Sequence, residues 1–542
     1  MNERDEIPGS GPRPLRALRA LLLALVAVAP FWSLYLANHL LSPPLTVGTG
    51  FLQYDSIYYL ANAHELVEHG DWIGYRNPYD DNPVARRAYF QPQVTFWSIL
   101  LRLGIDPGHA NLVLLLGAGL AVALIFLKLL RETLGASERF LVPVYLAGMW
   151  GGGILVLGGL GVCLIRGGPI DYLRILHYDP VNGWWFLNLG RNLLFATEAY
   201  YHALALGSIL LALHRGWIAC LVCLCVLMAS SPFTGPQYAI IFSAWSLLAF
   251  LARWRSRPPL WFAIGSVLLL SSGLFYYVAW LPSDSRHAMI FESWQQRFVM
   301  SSATIAFAYA IVGAFAFHRL VSMLRARSFA GSGDVGLLLM VFLVSFALAN
   351  HELVTKPHQP IHFARGHIWL ALFLIGAPSF RAMLESAFGR AENAGSPAMK
   401  GVAAGVCLLL LVDNGSWLTY QFSLARVGEW PGILDQSVVE LYDAMARARI
   451  RGLALMPKLS DYPAATYTDV TPYTGHSALT PDFNERTALR DRFYLEGDPR
   501  VLKNKSIRIL VLFRWGDARK SVTLSEWRLV CETPDFQVFE RR

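Results

Sequence analysis

Charged side chains are scarce in this chain of 542 residues: Asp, Glu, Lys and Arg make up only 15% of it, while apolar side chains make up 54%. Soluble domains are about one quarter charged, so this composition excludes an ordinary soluble multidomain protein. Cysteine is also rare, and five of the six cysteines lie in apolar runs, which excludes a disulfide framework and a zinc ribbon. Aromatic residues make up 13% of the chain, which excludes intrinsic disorder outside the extreme N-terminus.

Several common functional motifs are missing as well. The chain has no Walker motif, no GxSxG elbow and no HExxH. The formal net charge is +8, but no basic stripe with interleaved aromatic residues is present, so nucleic acid is not an expected partner. The glycine-rich run at 151–168 lies inside an apolar segment with no strand before it, and this context predicts close helix packing instead of nucleotide binding.

Long apolar runs dominate the first three quarters of the chain, and a bilayer requires about 20 residues for each helical span. About eleven candidate spans lie near 21–41, 109–130, 140–165, 194–213, 216–230, 237–252, 259–281, 299–317, 334–350, 368–382 and 399–412. An uncleaved first helix with its N-terminus in the cytoplasm places most loop Lys and Arg residues on the cytoplasmic side, as the positive-inside rule requires. Those residues are Lys128, Arg131, Arg139, Arg215, Arg253, Arg255, Arg257, Arg319, Arg325, Arg327, Arg381, Arg390 and Lys400.

The predicted fold class is therefore a polytopic α-helical membrane protein of about eleven transmembrane helices, with the N-terminus inside and the C-terminus outside. We divide it into a cytoplasmic tail (1–14), a transmembrane domain (15–414) with a long external loop (43–93), and a small extracytoplasmic α/β domain (415–542). In the last region an amphipathic helix is expected at 433–449, and strands are expected at 453–457, 507–513, 527–532 and 536–540.

The first external loop carries the leading candidate for chemistry, because long loops in compact proteins are often functional. Asp55 follows the first span, at the expected start of a helix. Its carboxylate is placed either to accept a proton from an incoming hydroxyl or only to cap the helix. Further loop candidates for contact with an acceptor are Tyr58, Tyr59, His64 and Glu65.

Later in the loop, Asp80 and Asp81 form an adjacent pair in NPYDDNP. Paired carboxylates hold a divalent cation beside a phosphate in many enzymes, although an Asp-Asp between prolines is also ordinary turn chemistry. Arg86 and Arg87 follow, and they are placed to meet either a phosphate or lipid head groups.

Two further polar groups lie near predicted spans. Glu198 and His202 share one helix face at i and i+4, either as a functional pair within the membrane or as a pair that only satisfies itself by a mutual hydrogen bond. The segment 351–367 reads HELVTKPHQPIHFARGH. Its two prolines break any helix that could align the histidines for zinc, so a cationic loop that contacts phosphate is the favoured interpretation.

The pattern resembles the GT-C class of integral-membrane glycosyltransferases, of the bacterial type that depends on polyprenyl-phosphate sugars. The resemblance rests on YDSIYYLANAHELVEHG and YFQPQ in the first external loop, on QPIHFARGH, and on YTGHSALTPDFNERTALRDRFY after the last span. It implies sugar transfer from a polyprenyl-linked donor to a lipid, glycan or protein acceptor at the outer face of the bacterial cytoplasmic (inner) membrane.

By this resemblance Asp55 acts as the base or orients the acceptor hydroxyl, and the donor phosphate faces Arg365, with His362, His358 and Lys356 beside it. Some members of the class use a DxD, DD or DE pair with a metal. Here the first site reads YDS and the DD comes twenty-five residues later, so Mg²⁺ or Mn²⁺ on Asp55, Asp80 and Asp81 is the metal set to test. Alternatives are a non-catalytic membrane subunit that binds lipid-linked glycan or a partner in envelope polysaccharide assembly, and a transporter, for which paired repeats are missing.

Overall fold

The computed structural model describes residues 13–82, 84–135, 138–167, 169–181, 183, 187–252, 257–293, 298–328, 333–389, 395–428, 431–516, 518, 522 and 524–542. Residues 1–12 of the predicted cytoplasmic tail lie outside the described residues, and so do Arg253, Arg255 and Arg390. The first described helix begins at Arg13.

A helical bundle occupies the chain up to Val427. Its principal helices are α1 (Arg13–Leu40), α2 (Tyr54–Glu68), α3 (Pro92–Arg102), α4 (Pro107–Leu134), α5 (Leu141–Trp150), α6 (Leu155–Arg166), α7 (Tyr172–Ile175), α8 (Leu189–Asn192), α9 (Ala196–Leu213), α10 (Trp217–Ser230), α11 (Thr234–Leu251), α12 (Leu260–Leu274), α13 (Ser285–Ser293), α14 (Ser302–Arg325), α15 (Gly333–Ala349), α16 (His367–Phe388) and α17 (Pro397–Val427). One large apolar core runs through them.

Within the described residues, six helices are long and apolar enough to cross a membrane, which is the pattern of a multi-pass membrane protein. They are Ala17–Leu40, Pro107–Leu134, Leu260–Ser283, Ser302–Arg325, Pro360–Phe388 and Pro397–Val427. Helices α10 and α15 are apolar but shorter. Each of the eleven predicted runs coincides with a helix or a pair of helices, but the count of eleven spans remains a prediction.

The run predicted as one span at 140–165 is two helices, α5 and α6, bent by 57°. The chain leaves the helix at Gly151–Gly153, where a Cβ atom at position 153 would lie 2.1 Å from the Phe307 carbonyl oxygen. The buried Asp413 carboxylate accepts hydrogen bonds from the backbone amides of Leu155 at 3.1 Å and Val156 at 2.9 Å. The amides exposed by the break are thereby satisfied inside the protein, and the glycine run serves packing, as predicted.

Contacts between distant loops gather at one end of the bundle. His214 Nε2 lies 2.7 Å from Glu132, and Lys128 lies 3.1 Å from the same carboxylate. Arg381 donates to the Leu134 carbonyl oxygen at 2.9 Å, and Arg139 donates to that of Phe388 at 3.3 Å. The predicted cytoplasmic loops around these residues therefore meet at the same end, as alternating spans require.

The chain from residue 431 onward, here called the C-terminal unit, contains β2 (Ile433–Asp435), α18 (Gln436–Arg447), β3 (Gly452–Leu455), α19 (Ala464–Tyr467), β4 (Val470–Pro472), α20 (Phe483–Glu496), β5 (Ile507–Phe513), β6 (Trp527–Glu532) and β7 (Phe536–Arg541). Strands β3 to β7 form a mixed five-stranded sheet in the order β4-β3-β5-β7-β6, parallel from β4 to β5 and antiparallel beyond. Apolar clusters cover its two faces. The four predicted strands and the amphipathic helix are confirmed.

The predicted domain boundary at 414/415 falls inside α17, which continues without interruption to Val427. The helix continues because Trp417 and Ala425 remain buried beyond the point where the most apolar part of the run ends. The C-terminal unit then docks on the first external loop. Its β2 pairs antiparallel with β1 (Thr46–Gly48), which follows α1.

The same loop approaches the start of α4 closely enough to require glycine. A Cβ atom at position 108 would lie 1.8 Å from the Thr49 carbonyl oxygen, whereas one at position 117 of the same helix would meet nothing within 4 Å. We therefore expect Gly108→Ala to lower the free energy of unfolding by about 1–3 kcal/mol through overpacking. Gly117→Ala is the matched control and should leave stability unchanged or slightly higher, because alanine favours helix. Thermal unfolding in detergent measures both, and equal midpoints for the two variants would contradict this packing.

Candidate active site

Asp55 lies in the first turn of α2, and it is not the N-cap of that helix. The cap is Gln53, whose side-chain oxygen accepts a hydrogen bond from the Asp55 backbone N–H at 2.8 Å. The capping interpretation of Asp55 was therefore wrong, because the chain turns into the helix two residues earlier. A carboxylate in the first turn is favoured by the helix dipole. The Asp55 side chain is 41% exposed, so it remains accessible to a reactant.

His476, a residue of the C-terminal unit, lies beside this carboxylate within a group of aromatic rings. His476 Nε2 lies 3.4 Å from Asp55 Oδ1. The imidazole ring packs against four tyrosine rings at centroid distances of 5.3–6.3 Å, from Tyr54, Tyr58, Tyr79 and Tyr462. The site is thus built from the first external loop and the C-terminal unit together.

Tyr462 fixes the geometry of this group. Its hydroxyl donates to the Tyr54 carbonyl oxygen at 3.0 Å and accepts from the Tyr58 backbone N–H at 3.2 Å, while its ring stacks on that of Tyr54 at 4.6 Å. Burial raises the pKa of Tyr54 and of Tyr58 to about 12, so both phenols stay neutral at pH 7.

The sequence analysis assigned no role to Tyr462 or His476. Both lie more than 400 positions from Asp55, beyond the reach of any local pattern. The one available signal was the run YTGHSALTPDFNERTALRDRFY, which contributes to the family resemblance and contains His476.

Asp80 and Asp81 are held in ion pairs. Arg286 Nη1 lies 3.2 Å from Asp80 and 3.3 Å from Asp81, and Arg486 Nη2 lies 3.0 Å from Asp81. Burial raises the pKa of Asp80, while the Arg286 guanidinium opposes that shift. These carboxylates are therefore neutralised by arginines from the α13 segment and from α20.

Within the described residues, the groups of side chains that could hold a metal ion lie elsewhere. The acids and histidines close enough to share an ion are His64, Glu68 and Asp469, and Glu65, Glu68 and His69, at the other end of α2 from Asp55. Arginines lie against both groups: Arg451 contacts Asp469 at 3.2 Å, and Arg76 contacts Glu65 at 2.7 Å. The predicted set of Asp55, Asp80 and Asp81 is not among the groups that the described residues form.

The other loop candidates are dispersed around α2. Burial raises the pKa of Tyr59, whose hydroxyl is hydrogen-bonded to Tyr201. His64 Nε2 lies 3.0 Å from the Asp469 carboxylate. Arg86 lies over the Trp280 ring at 3.8 Å, and Arg87 pairs with Asp71 at 2.5 Å. Of the loop cations, Arg86 extends toward the segment that ends α12, and Arg87 is occupied by a carboxylate.

Arg365 does not extend from a surface loop as predicted: it is buried and pairs with Glu198. His202 completes the group, because Nδ1 contacts the Glu198 carbonyl oxygen at 2.8 Å and Nε2 contacts the Arg365 carbonyl oxygen at 3.0 Å. His202 is therefore hydrogen-bonded to Glu198, but through the backbone carbonyl, and the mutual bond does not satisfy the Glu198 carboxylate, which binds Arg365. A guanidinium inside the bundle needs such a partner because an unpaired buried charge is costly.

The remaining residues of the late loop are separated from one another. His362 stacks on Phe233 with ring centroids 4.1 Å apart. His358 and Lys356 are exposed, and the His358 backbone N–H donates to His351 Nε2 at 2.8 Å. Burial, with His351 and Lys356 nearby, lowers the pKa of His358, which leaves Lys356 as the exposed cation of this loop.

A small open cleft adjoins the Asp55 helix. Its walls come from α1, α17 and the start of the C-terminal unit, and Gln53 lies in its lining. Because Gln53 also caps α2, the cleft reaches within two residues of Asp55. The other residues lining it are Leu34, Asn38, Phe51, Leu52, Gly183, Leu194, Trp417, Gln421, Leu424, Ala425, Pro431 and Gly432.

No protein-family model and no curated protein matches the chain. Among solved structures, the chain is similar to ArnT from Cupriavidus metallidurans bound to undecaprenyl phosphate, at 12% identity and a TM-score of 0.48 over 97% of this chain and 98% of that one. It is similar to the Archaeoglobus fulgidus oligosaccharyltransferase tethered with an acceptor peptide, at 11% identity and a TM-score of 0.47 over 90% of this chain and 69% of that one.

A third similar structure is the arabinofuranosyltransferase AftD from Mycobacteria, at 13% identity and a TM-score of 0.48, over 96% of this chain and 41% of that one. All three belong to the GT-C glycosyltransferases that the sequence resembles. With TM-scores below 0.5, the likeness by itself assigns neither a fold nor a function to this chain.

The Glu198–Arg365 pair yields a prediction about stability. Removal of either partner leaves a buried charge without compensation, so we expect Glu198→Gln and Arg365→Gln each to lower the free energy of unfolding by about 3–5 kcal/mol. The double variant should cost less than the two single changes added together. Thermal unfolding of the four proteins tests this, and strictly additive effects would show that the two side chains do not interact.

Proposed function

We propose that the chain is a membrane glycosyltransferase that moves a sugar from a polyprenyl-phosphate-linked donor to a lipid, glycan or protein acceptor. The observation that carries the proposal is the Asp55 carboxylate: it is 41% exposed, it lies in the first turn of the helix that follows the first candidate span, and the cap of that helix, Gln53, lines a cleft between two candidate spans. A base for a hydroxyl must be accessible and within hydrogen-bond reach of its substrate.

In the proposed reaction, the acceptor hydroxyl oxygen bonds to the anomeric carbon of the sugar. The bond from that carbon to the phosphate oxygen breaks, and its electrons leave with the polyprenyl phosphate. Asp55 takes the proton of the acceptor hydroxyl.

The leaving phosphate gains negative charge and requires a cation. We propose Arg86 and Lys356 for this role, because each is an exposed cation on a loop at the edge of the bundle. Arg365, His362 and His358 remain proposed phosphate contacts from the family resemblance. For Arg365 to bind the phosphate, its guanidinium must either contact the phosphate and the Glu198 carboxylate together or exchange that carboxylate for the phosphate.

A divalent metal on Asp55, Asp80 and Asp81 does not fit the residues present. Asp80 and Asp81 are already neutralised by Arg286 and Arg486, and a metal would have to displace both guanidinium groups. The proposed proton transfer is therefore assigned to Asp55 alone, and no step is assigned to Mg²⁺ or Mn²⁺.

We further propose that the Asp55 end of the bundle and the C-terminal unit lie at the outer face of the bacterial cytoplasmic membrane, with the end around Glu132 in the cytoplasm. The basic loops support this orientation. A C-terminal alkaline phosphatase fusion should be active in a bacterial host, and a C-terminal green fluorescent protein fusion should be dark. A bright fluorescent fusion with an inactive phosphatase fusion would reverse the proposed orientation.

The catalytic assignment is tested with Asp55→Asn. This nearly isosteric change removes the base, so we expect turnover to fall by about 10²–10⁴-fold without loss of thermal stability. The assay follows release of undecaprenyl phosphate from a panel of undecaprenyl-phosphate-linked hexoses and pentoses, with a membrane lipid extract as acceptor. Asp71→Asn is the matched control, an aspartate of the same loop that pairs with Arg87.

Unchanged turnover by Asp55→Asn would remove Asp55 from the mechanism. A wild-type protein that consumes none of the donors but co-purifies with a stable partner would instead favour the non-catalytic subunit.

A further inference from the structure

The residues 473–480, here called the His476 loop, connect β4 to the segment before α20 and reach the Asp55 carboxylate. The loop is anchored at its base, where the Tyr473 backbone N–H donates to the Ala454 carbonyl oxygen of β3 at 2.8 Å. Gly475 permits the loop to pass Tyr79, because a Cβ atom there would lie 2.3 Å from that ring. The position of His476 is therefore set by the fold of the C-terminal unit.

Buried charges reinforce the loop from behind. Thr474 Oγ1 donates to Asp461 Oδ2 at 2.6 Å, and the same carboxylate pairs with Arg490 of α20. Burial raises the pKa of Asp461, while the Arg490 guanidinium opposes that shift. On the other side, the Gly475 backbone N–H donates to Thr480 Oγ1 at 3.2 Å. A loop fixed at both ends holds its central histidine in one orientation.

The hydrogen bonds of His476 identify its tautomer. The Ala478 backbone N–H donates to His476 Nδ1 at 3.2 Å, and a backbone N–H can only donate. Nδ1 must then be the acceptor nitrogen, so Nε2 carries the proton of the neutral ring. Nε2 is the atom that lies 3.4 Å from Asp55 Oδ1. The neutral imidazole is therefore oriented to donate a hydrogen bond to this carboxylate, without any need for a charged ring.

We propose that His476 is a positioning residue: its Nε2–H holds Asp55 Oδ1, so that the C-terminal unit completes the site that the first external loop begins. The inference rests on the proposed function of Asp55. With Oδ1 occupied, Oδ2 is the oxygen left to receive the proton of the acceptor hydroxyl. A distance of 3.4 Å is long for such a bond, and hydrogen bonds of this kind commonly shorten when substrate binds.

The rings around His476 support a role in orientation. The imidazole is only 10% exposed and is packed among tyrosines, so it cannot rotate away from the carboxylate without displacing them. Ser477 hydrogen-bonds to the side chain of Tyr54, the neighbour of Asp55. The loop therefore contacts both residues that begin α2.

His476→Phe and His476→Gln separate positioning from packing. Phenylalanine keeps the ring but cannot donate, so we expect kcat to fall about ten- to hundredfold, as loss of a hydrogen bond to a charged group implies, with KM within about twofold. Glutamine restores an N–H donor near the position of Nε2 and should recover most of kcat. The assay is donor consumption by the full chain with the undecaprenyl-phosphate-linked panel.

The matched control is Thr466→Val. Thr466 Oγ1 donates to the Ile57 carbonyl oxygen at 3.0 Å, so this change removes another hydrogen bond between the C-terminal unit and α2 without touching Asp55. It should lower thermal stability slightly and leave kcat unchanged. If His476→Phe keeps wild-type kcat, or if His476→Gln is no better than His476→Phe, the positioning role is overturned.

A second measurement does not depend on turnover. In a thermal-unfolding cycle of wild type, Asp55→Ala, His476→Phe and the double variant, a direct contact predicts midpoint shifts that do not add, because alanine removes the acceptor that asparagine would keep. Additive shifts would overturn the contact itself. If the shifts do not add and the wild-type protein consumes no donor, the contact is upheld. The proposed function is then overturned, and with it the role of His476 in transfer.

Discussion

The docking of the C-terminal unit onto α2 is the constraint on which the candidate site depends. One hydroxyl, that of Tyr462, bonds to the first turn of α2 through the Tyr54 carbonyl and the Tyr58 amide. These two groups lie four residues apart in the first turn, so a tyrosine from another part of the chain bridges that turn. Because the same tyrosine packs against His476, the helix and the His476 loop cannot move independently. The start of α2 is thus fixed by residues that the external loop itself does not contain.

Charge pairing explains why Asp55 differs from the other acids. Buried ions are costly unless they are paired, and the described residues obey this rule at Glu198, which binds Arg365, at Asp179, which binds Arg191, and at Asp461, which binds Arg490. Asp55 is instead accessible and contacts a histidine oriented as a neutral donor. It therefore keeps its negative charge available to a substrate, while the paired acids have their charge compensated within the fold.

Much of the fold could be predicted because it follows from local patterns. Apolar runs marked the helices, and short runs rich in β-branched and aromatic residues marked β5 and β7. The candidate site was harder. Asp55 was identified from its position after the first span, but Arg365 was expected at a phosphate, and its actual partner is 167 positions away. No periodicity in the sequence encodes a pairing across that distance. Tyr58 was among the predicted loop candidates, but the other tyrosines around His476 were missed for the same reason, since they come from both ends of the chain.

The break between α5 and α6 extends this reasoning to the interior of the bundle. A helix that stops within an apolar region exposes amides that no water can satisfy, so the break is tolerated only where protein groups replace the missing partners. Asp413 of α17 supplies both carboxylate oxygens to those amides, and burial of the acid is offset by the adjacent network in which Arg191 donates to the Asp413 carbonyl and to Asn414. Arg191 lies in α8, after the segment that follows α6. The bend therefore brings Tyr172, Gly183 and Arg191 against α17, beside the cleft that reaches Gln53. A carboxylate inside the bundle thus helps to shape the approach to Asp55.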